Sequence, residues 1–138
     1  MSPLQIPASQ SRGKTVLLVE DEALLRMTVA DELRLAGFTV VECRSADEAF
    51  DLVKSGAHFD LLLTDVQMPG SRDGLDLARE VVSLDPGLPV IVTSGHLQPS
   101  QAERFDAFLP KPFPTEIAAA LVARLLEREE REDQNHAP

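Results

Sequence analysis

Three short apolar runs constrain this chain more than any other feature. Val16-Leu17-Leu18-Val19, Leu61-Leu62-Leu63 and Val90-Ile91-Val92 are unbroken by polar residues, and each stops at a carboxylate or a hydroxyl. Continuous apolar runs of this length suit strands buried on both faces, as in a parallel sheet covered by helices. Each is far too short to span a bilayer. Between the runs the apolar spacing becomes helical, and strands alternating with helices predict an α/β domain with helices on both faces of the sheet.

Met1 to Arg12, with Pro3, Pro7 and several Ser and Gln residues, reads as a flexible lead-in. After the first strand, Leu25, Val29, Leu33 and Ala36 recur at helical spacing, and Gly37 supplies the stop. Phe38 to Cys43 alternates into a second strand. Ser45 caps a helix holding Ala46, Ala49, Phe50 and Val53, which Gly56 closes. The third strand, Phe59 to Thr64, ends at Asp65. A third helix around Gly74–Ser83 turns Leu75, Ala78 and Val82 inward and is broken by Pro86-Gly87. Pro89–Thr93 is a fourth strand and Ala107–Leu109 a short fifth. The last helix starts near Pro114-Thr115, points Ile117, Leu121 and Leu125 inward, and has a solvated charged end at Glu127–Asp133. Residues 1–13 are thus expected to be the lead-in, 14–128 the folded domain and 129–138 a charged tail. The 138 residues suffice for a core without disulfides or metal staples.

Lys and Arg number 13 against 23 Asp and Glu, a net charge of −10. That sign disfavours nucleic acid and anionic membrane, so neither is expected as a partner. The single cysteine, Cys43, cannot close an internal disulfide and reads as a small core residue. No secretory signal opens the chain, and a cytoplasmic location is expected. Arg12-Gly13-Lys14-Thr15 has the end of a phosphate-binding loop in it, but precedes a strand rather than following one.

In an open parallel sheet, ligands bind beyond the carboxyl ends of the strands. The first strand ends in Glu20 and Asp21, the third in Asp65, the fourth in Thr93 and Ser94, and the fifth leads to Lys111. Three acids at one rim repel one another unless a cation joins them, and all-oxygen ligation suits a hard ion such as Mg²⁺. A lysine beside them would neutralise charge on a phosphoryl group, and a carboxylate so placed is a competent nucleophile for phosphorus.

Glu20-Asp21 after Val-Leu-Leu-Val, Asp65 in Leu-Leu-Leu-Thr-Asp-Val-Gln-Met-Pro-Gly, Ser94 after Pro-Val-Ile-Val-Thr, and Lys111-Pro112-Phe113 together resemble bacterial response-regulator receiver domains. The likeness runs from about Thr15 to about Leu126. It implies a flavodoxin-like, doubly wound five-stranded parallel sheet in the order 2-1-3-4-5, the strand order of that family. It also implies Asp65 as phosphoacceptor. Mg²⁺ would be ligated by Asp21, Asp65 and the Gln67 backbone carbonyl, with Glu20 acting through water. Lys111 would pair with phosphoryl oxygens, and Ser94, in preference to Thr93, would be the switch hydroxyl with Phe108 as its coupled aromatic. Gln67 and His96 would flank the approach of water and modulate dephosphorylation.

Three departures accompany the likeness. The loop after Asp65 is a residue longer than the commonest pattern, so Gly74 arrives late. Phe108 lacks the hydroxyl of the frequent Tyr. The stretch from Ser94 to Lys111 is short and contains Pro99, so the fourth helix is expected to be short or poorly ordered. The expected function is that of a stand-alone receiver, a signalling protein rather than an enzyme. It would take its phosphoryl group from a histidine kinase or a histidine phosphotransfer protein. Signalling would follow through contact with an unidentified output protein, or the receiver would act as a phosphate sink, as a monomer or weak dimer. The alternatives are a phosphorylation-independent adaptor and the receiver portion of a hybrid histidine kinase.

Overall fold

The computed structural model of the chain describes residues 13–96 and 105–135. Within them lie five strands and four helices: β1 (Thr15–Val19), α1 (Ala23–Leu35), β2 (Thr39–Cys43), α2 (Ala46–Lys54), β3 (Leu61–Asp65), α3 (Gly74–Leu84), β4 (Val90–Ser94), β5 (Ala107–Pro110) and α4 (Thr115–Asn135). The strands are all parallel in the order β2-β1-β3-β4-β5, which is the expected doubly wound arrangement. The expected short or poorly ordered fourth helix falls on residues 97–104, outside the described residues.

Strand alternation divides the core in two. Val16, Leu18, Leu61, Leu63, Ile91 and Leu109 pack with α1 and α4 on one face. Leu17, Val19, Leu62, Val90 and Val92 pack with α2 and α3 on the other. Leu61, Leu62, Val90 and Ile91 have no exposed surface, the burial on both faces that their unbroken runs require. Each such side chain contributes roughly 1.5–3 kcal/mol by leaving water.

Local chemistry sets the element ends. Ser45 Oγ accepts the Glu48 amide at 3.1 Å and caps α2. Asp73 and Asp76 exchange two main-chain-to-carboxylate bonds, of 2.9 and 3.1 Å, in a capping box that starts α3. Helix α1 ends in a Schellman motif. Gly37, at φ 99°, donates to Arg34 O, and Phe38 N donates to Leu33 O. Both Phe38 and Leu33 are buried in the core, so the turn is fixed by packing as well as by its bonds.

Two inward faces differ from expectation. Ile117 is 49% exposed, and α4 instead buries Ala118, Ala119, Val122, Leu125 and Leu126. Ala36 is exposed just beyond α1, and Ala30 takes the buried place. Small side chains let a helix approach the sheet closely, so they displace larger apolar residues from the contact line. The charged stretch Glu127–Asp133 lies within α4, which continues to Asn135. Its interleaved Glu and Arg are good helix formers with favourable spacing, and Arg128 pairs with Asp106 at 3.6 Å.

Gly74 ties α3 to the end of β3. Its amide donates to Val66 O at 2.8 Å. A Cβ there would overlap the Asp65 main-chain carbonyl and come within 2.9 Å of Val66 Cα. Gly74 thus holds the start of α3 against the end of β3. Gly74→Ala is expected to lower stability by about 1–3 kcal/mol in urea unfolding. Gly87→Ala, whose Cβ would meet only a 3.7 Å neighbour, should leave the unfolding midpoint nearly unchanged.

Candidate functional site

The chain leaves β1 for β2 on one side and returns to β3 on the other, so β1 and β3 flank the topological switch point. Glu20 and Asp21 follow β1 directly, and Asp65 is the last residue of β3. Oxygens of these three carboxylates lie within 4.8 Å of one another. Glu20 and Asp65 are buried, at 4% and 6% exposure, and Asp21 is exposed.

Lys111 enters from beyond β5. Its amide donates to Ser94 O at 3.1 Å, which holds it at the end of β4. Its Nζ reaches Glu20 Oε1 at 2.7 Å and Asp65 Oδ2 at 3.1 Å. The Lys111-Pro112 peptide bond is cis. Glu20 is further held by the Glu22 amide, which donates to Oε2 at 3.0 Å, and its own carbonyl accepts from Arg26 Nη1 at 2.9 Å. Arg26 in turn pairs with Glu42 at 3.4 Å, linking the site to β2.

The electrostatics are strained in one direction. Burial pushes the Glu20 carboxyl above its ordinary range, against the hydrogen bonds from Lys111 and the Glu22 amide. Burial also raises Asp65, with Asp21 adding to the rise while Lys111 and the Gln67 amide oppose it. Burial works against the Lys111 ammonium, but its bonds to Glu20 and Asp65 outweigh that and hold its pKa above normal. With all groups ionised, three carboxylates against one ammonium leave two negative charges unbalanced (3 − 1). A divalent hard cation matches that remainder and that all-oxygen donor set, so the residues present fit Mg²⁺.

The remaining candidates surround this cluster. Thr93 faces a cavity of about 10 Å³ shared with Glu20, Asp65 and Phe113. Ser94, the next residue along β4, is buried, and its Oγ accepts the His96 amide at 3.0 Å. Phe108 lies opposite Val92 on β5 and packs, half-buried, on the α2–α3 side. Gln67 and His96 are exposed. Gln67 follows Val66, whose amide donates to Thr93 O at 3.0 Å. Cys43 is wholly buried, and burial pushes its thiol up to about 12, so it is an inert core residue.

Two features of the site carry no sequence signal. Glu20, expected to act only through water, is the nearest partner of Lys111. Arg26 meets the Glu20 carbonyl across the α1 turn, where its spacing in sequence looks like that of any solvated helix arginine. Beside Lys111 a groove of about 400 Å³ opens between Glu22, Leu25, Pro112 and Phe113.

The chain is similar over 110 residues, at 40% identity and 75% of its length, to the C4-dicarboxylate transport transcriptional regulatory protein DctD of Rhizobium meliloti. It is 36% identical over 126 residues, 87% of its length, to the sensor kinase CckA of Brucella abortus. The chain spans 23% and 13% of the length of these two relatives. Among solved structures, a response regulator receiver protein from Sinorhizobium medicae superimposes with a TM-score of 0.78 at 33% identity, covering 85% of this chain and 97% of that one. Residues 16–123 match the response regulator receiver domain family. With the parallel sheet in place and the acids and lysine at its switch point, the chain belongs to the response regulator receiver domains, signalling modules of two-component systems.

Proposed function

We propose that Asp65 accepts a phosphoryl group from a phosphohistidine of a histidine kinase or a phosphotransfer protein. The observation that carries this reading is the Lys111 ammonium 3.1 Å from Asp65 Oδ2, beside three clustered carboxylates. In the transfer, an Asp65 carboxylate oxygen forms a bond to phosphorus as the phosphorus–nitrogen bond of the donor breaks. The imidazole leaves with the bonding pair and takes up a proton from solvent, and an acyl phosphate remains on Asp65. Mg²⁺, when bound, would offset the negative charge of the carboxylates and the phosphoryl oxygens. Asp21, Asp65 and the Gln67 carbonyl would hold it, with Glu20 contributing through water.

Lys111 would turn part of its hydrogen bonding from Glu20 and Asp65 to the new phosphoryl oxygens. An ammonium has three protons and no preferred plane, which suits such sharing. Ser94 would serve as the switch. Its oxygen accepts the His96 amide, and a hydroxyl that accepts one bond can still donate its proton to a phosphoryl oxygen. Thr93 is the less favoured hydroxyl, since it lines the small cavity under the acids rather than the loop. Displacement of Ser94 and Phe108 would reshape the β4–β5 surface that an output protein reads. The groove beside Lys111 would receive the phosphodonor. Among the described residues no helix is long and apolar enough to cross a membrane. The receiver would act in the cytoplasm, as a monomer or weak dimer. The role would be signalling rather than catalysis on other substrates.

Incubation with Mg²⁺ and a small phosphodonor is expected to give a hydroxylamine-sensitive adduct, and Asp65→Asn to abolish it while circular dichroism stays unchanged. An adduct of normal yield on Asp65→Asn would overturn the assignment, and none on the wild type would favour an adaptor. Mg²⁺ is also expected to raise thermal stability, by about 2.7 kcal/mol at a hundredfold excess over its dissociation constant. Asp21→Asn should weaken that binding by about tenfold or more, read from the same melting curves. Gln67→Ala and His96→Ala should change the decay of the aspartyl phosphate more than its formation. Decay at the wild-type rate in both variants would remove these residues from the dephosphorylation path.

A further inference from the structure

The loop from Gln67 to Asp73, a residue longer than the family's commonest pattern, is closed at its base by the bond from Gly74 N to Val66 O. At its far side it is fastened to the first turn of α2. Asp47 Oδ2 accepts the Ser71 amide at 3.1 Å, and Asp47 Oδ1 accepts the Ser71 hydroxyl at 2.8 Å. Arg72 Nη1 pairs with the same Oδ1 at 3.4 Å, and its guanidinium lies over the Phe50 ring, 4.1 Å from the centroid. Gly70 completes the grip. It adopts φ 121°, and a Cβ on it would stand 2.6 Å from Asp47 Oδ2, so the loop meets the carboxylate only because no side chain intervenes.

An isolated exposed ion pair contributes little, but this carboxylate holds both the amide and the hydroxyl of Ser71 as well as the Arg72 guanidinium. The bonds from Ser71 also hold the Asp47 carboxyl below its usual range. Between Gly70 and the site only Met68 and Pro69 intervene, and both limit slack. Pro69 has a fixed φ, and Met68 is half-buried against the α2–α3 core. Gln67, the first residue of the loop, is therefore set between anchored Val66 and the clamp. Its amide faces the Asp65 carboxylate.

We propose that Asp47 is a positioning residue for the cation site, acting through Ser71 and Gly70 on the orientation of the Gln67 peptide. This rests on the reading that Asp21, Asp65 and the Gln67 carbonyl hold Mg²⁺, and it adds a second helix, α2, to the elements that set that site. Outer partners of metal ligands typically tune affinity without touching the ion.

The test is titration of the full chain with Mg²⁺, followed by amide chemical shifts and by calorimetry, without any phosphodonor. Asp47→Ala is expected to weaken Mg²⁺ binding about tenfold, with the metal-free melting temperature nearly unchanged. Asp47→Asn, which keeps an acceptor for the Ser71 amide, should recover part of the affinity. Ser71→Ala should lose less than Asp47→Ala, and Gly70→Ala, which opens the clamp from the loop side, should match it. Wild-type affinity in Asp47→Ala would overturn the proposal, whatever that variant's stability. Reduced affinity in Asp47→Ala with wild-type affinity in both Ser71→Ala and Gly70→Ala would also overturn it, because the effect would then be one of charge alone. A wild-type chain that binds no Mg²⁺ would overturn the cation reading itself, and this inference with it.

Discussion

The Lys111 ammonium between Glu20 and Asp65 is the interaction on which the site end of the molecule depends. Two carboxylates buried at the ends of adjacent strands would be costly to ionise alone, and a third acid stands beside them. A single lysine reduces that cost, because it reaches both buried acids at 2.7 and 3.1 Å. It can do so only from one place. Its amide is pinned to Ser94 O at the end of β4, so the side chain crosses toward β3 and β1. The register of the sheet, the length of β5 and the turn at Pro112 all serve to deliver one positive charge to this point. Neutralisation is nonetheless incomplete, and the uncompensated negative charge is what fits the rim to a divalent ion.

Much of the fold was legible because the chain's physics is local and repetitive. Unbroken runs such as Leu61-Leu62-Leu63 suit the middle of a sheet covered on both faces, and their shortness argues against a helix. Ser45, Gly37 and Gly56 mark helix ends by their own chemistry, independent of tertiary context. The helix faces were less legible. Ile117 lies at helical spacing from Leu121, yet α4 turns Ala118 and Val122 to the sheet. Spacing identifies a set of neighbouring faces, and the choice among them follows from how closely the helix can approach, which is a property of the sheet beneath it. The order of the strands was likewise carried by resemblance, since alternation alone permits several.

The acids, the hydroxyls and Lys111 were legible as site candidates for a topological reason: every one of them lies at or just past the end of a strand, and parallel strands end on one rim. Their ranking was not. Glu20 is the closest partner of Lys111, a contact across 91 residues of sequence, and it shares a small cavity with Leu25, Val29 and Phe113. The contacts of Asp47 are also long-range, with 24 residues separating it from Ser71. In sequence it is an ordinary acid in a first helical turn, where a carboxylate is favoured whatever else it does.

Stability and function pull against each other at this rim, and the architecture shows how they are reconciled. The apolar core lies below the acids, with Leu61, Leu62, Val90 and Ile91 fully buried on strands that end in Asp65 or Ser94. That core supplies the free energy that lets a poorly neutralised cluster persist. The groups proposed to respond to a phosphoryl charge are held by side-chain hydrogen bonds that can be exchanged. The Ser94 hydroxyl accepts the His96 amide of the following loop, and Lys111 shares its protons between two acceptors. The loop after Asp65 is gripped instead, at Gly74 by close backbone contact and at Ser71 by Asp47. On the proposed roles, a site built this way would keep its cation ligands fixed while its phosphoryl ligands could exchange partners. Electrostatic preorganisation requires the first, since reorganising ligands at the moment of transfer raises the barrier. A switch requires the second, since a group already satisfied in only one arrangement has nothing to gain by moving.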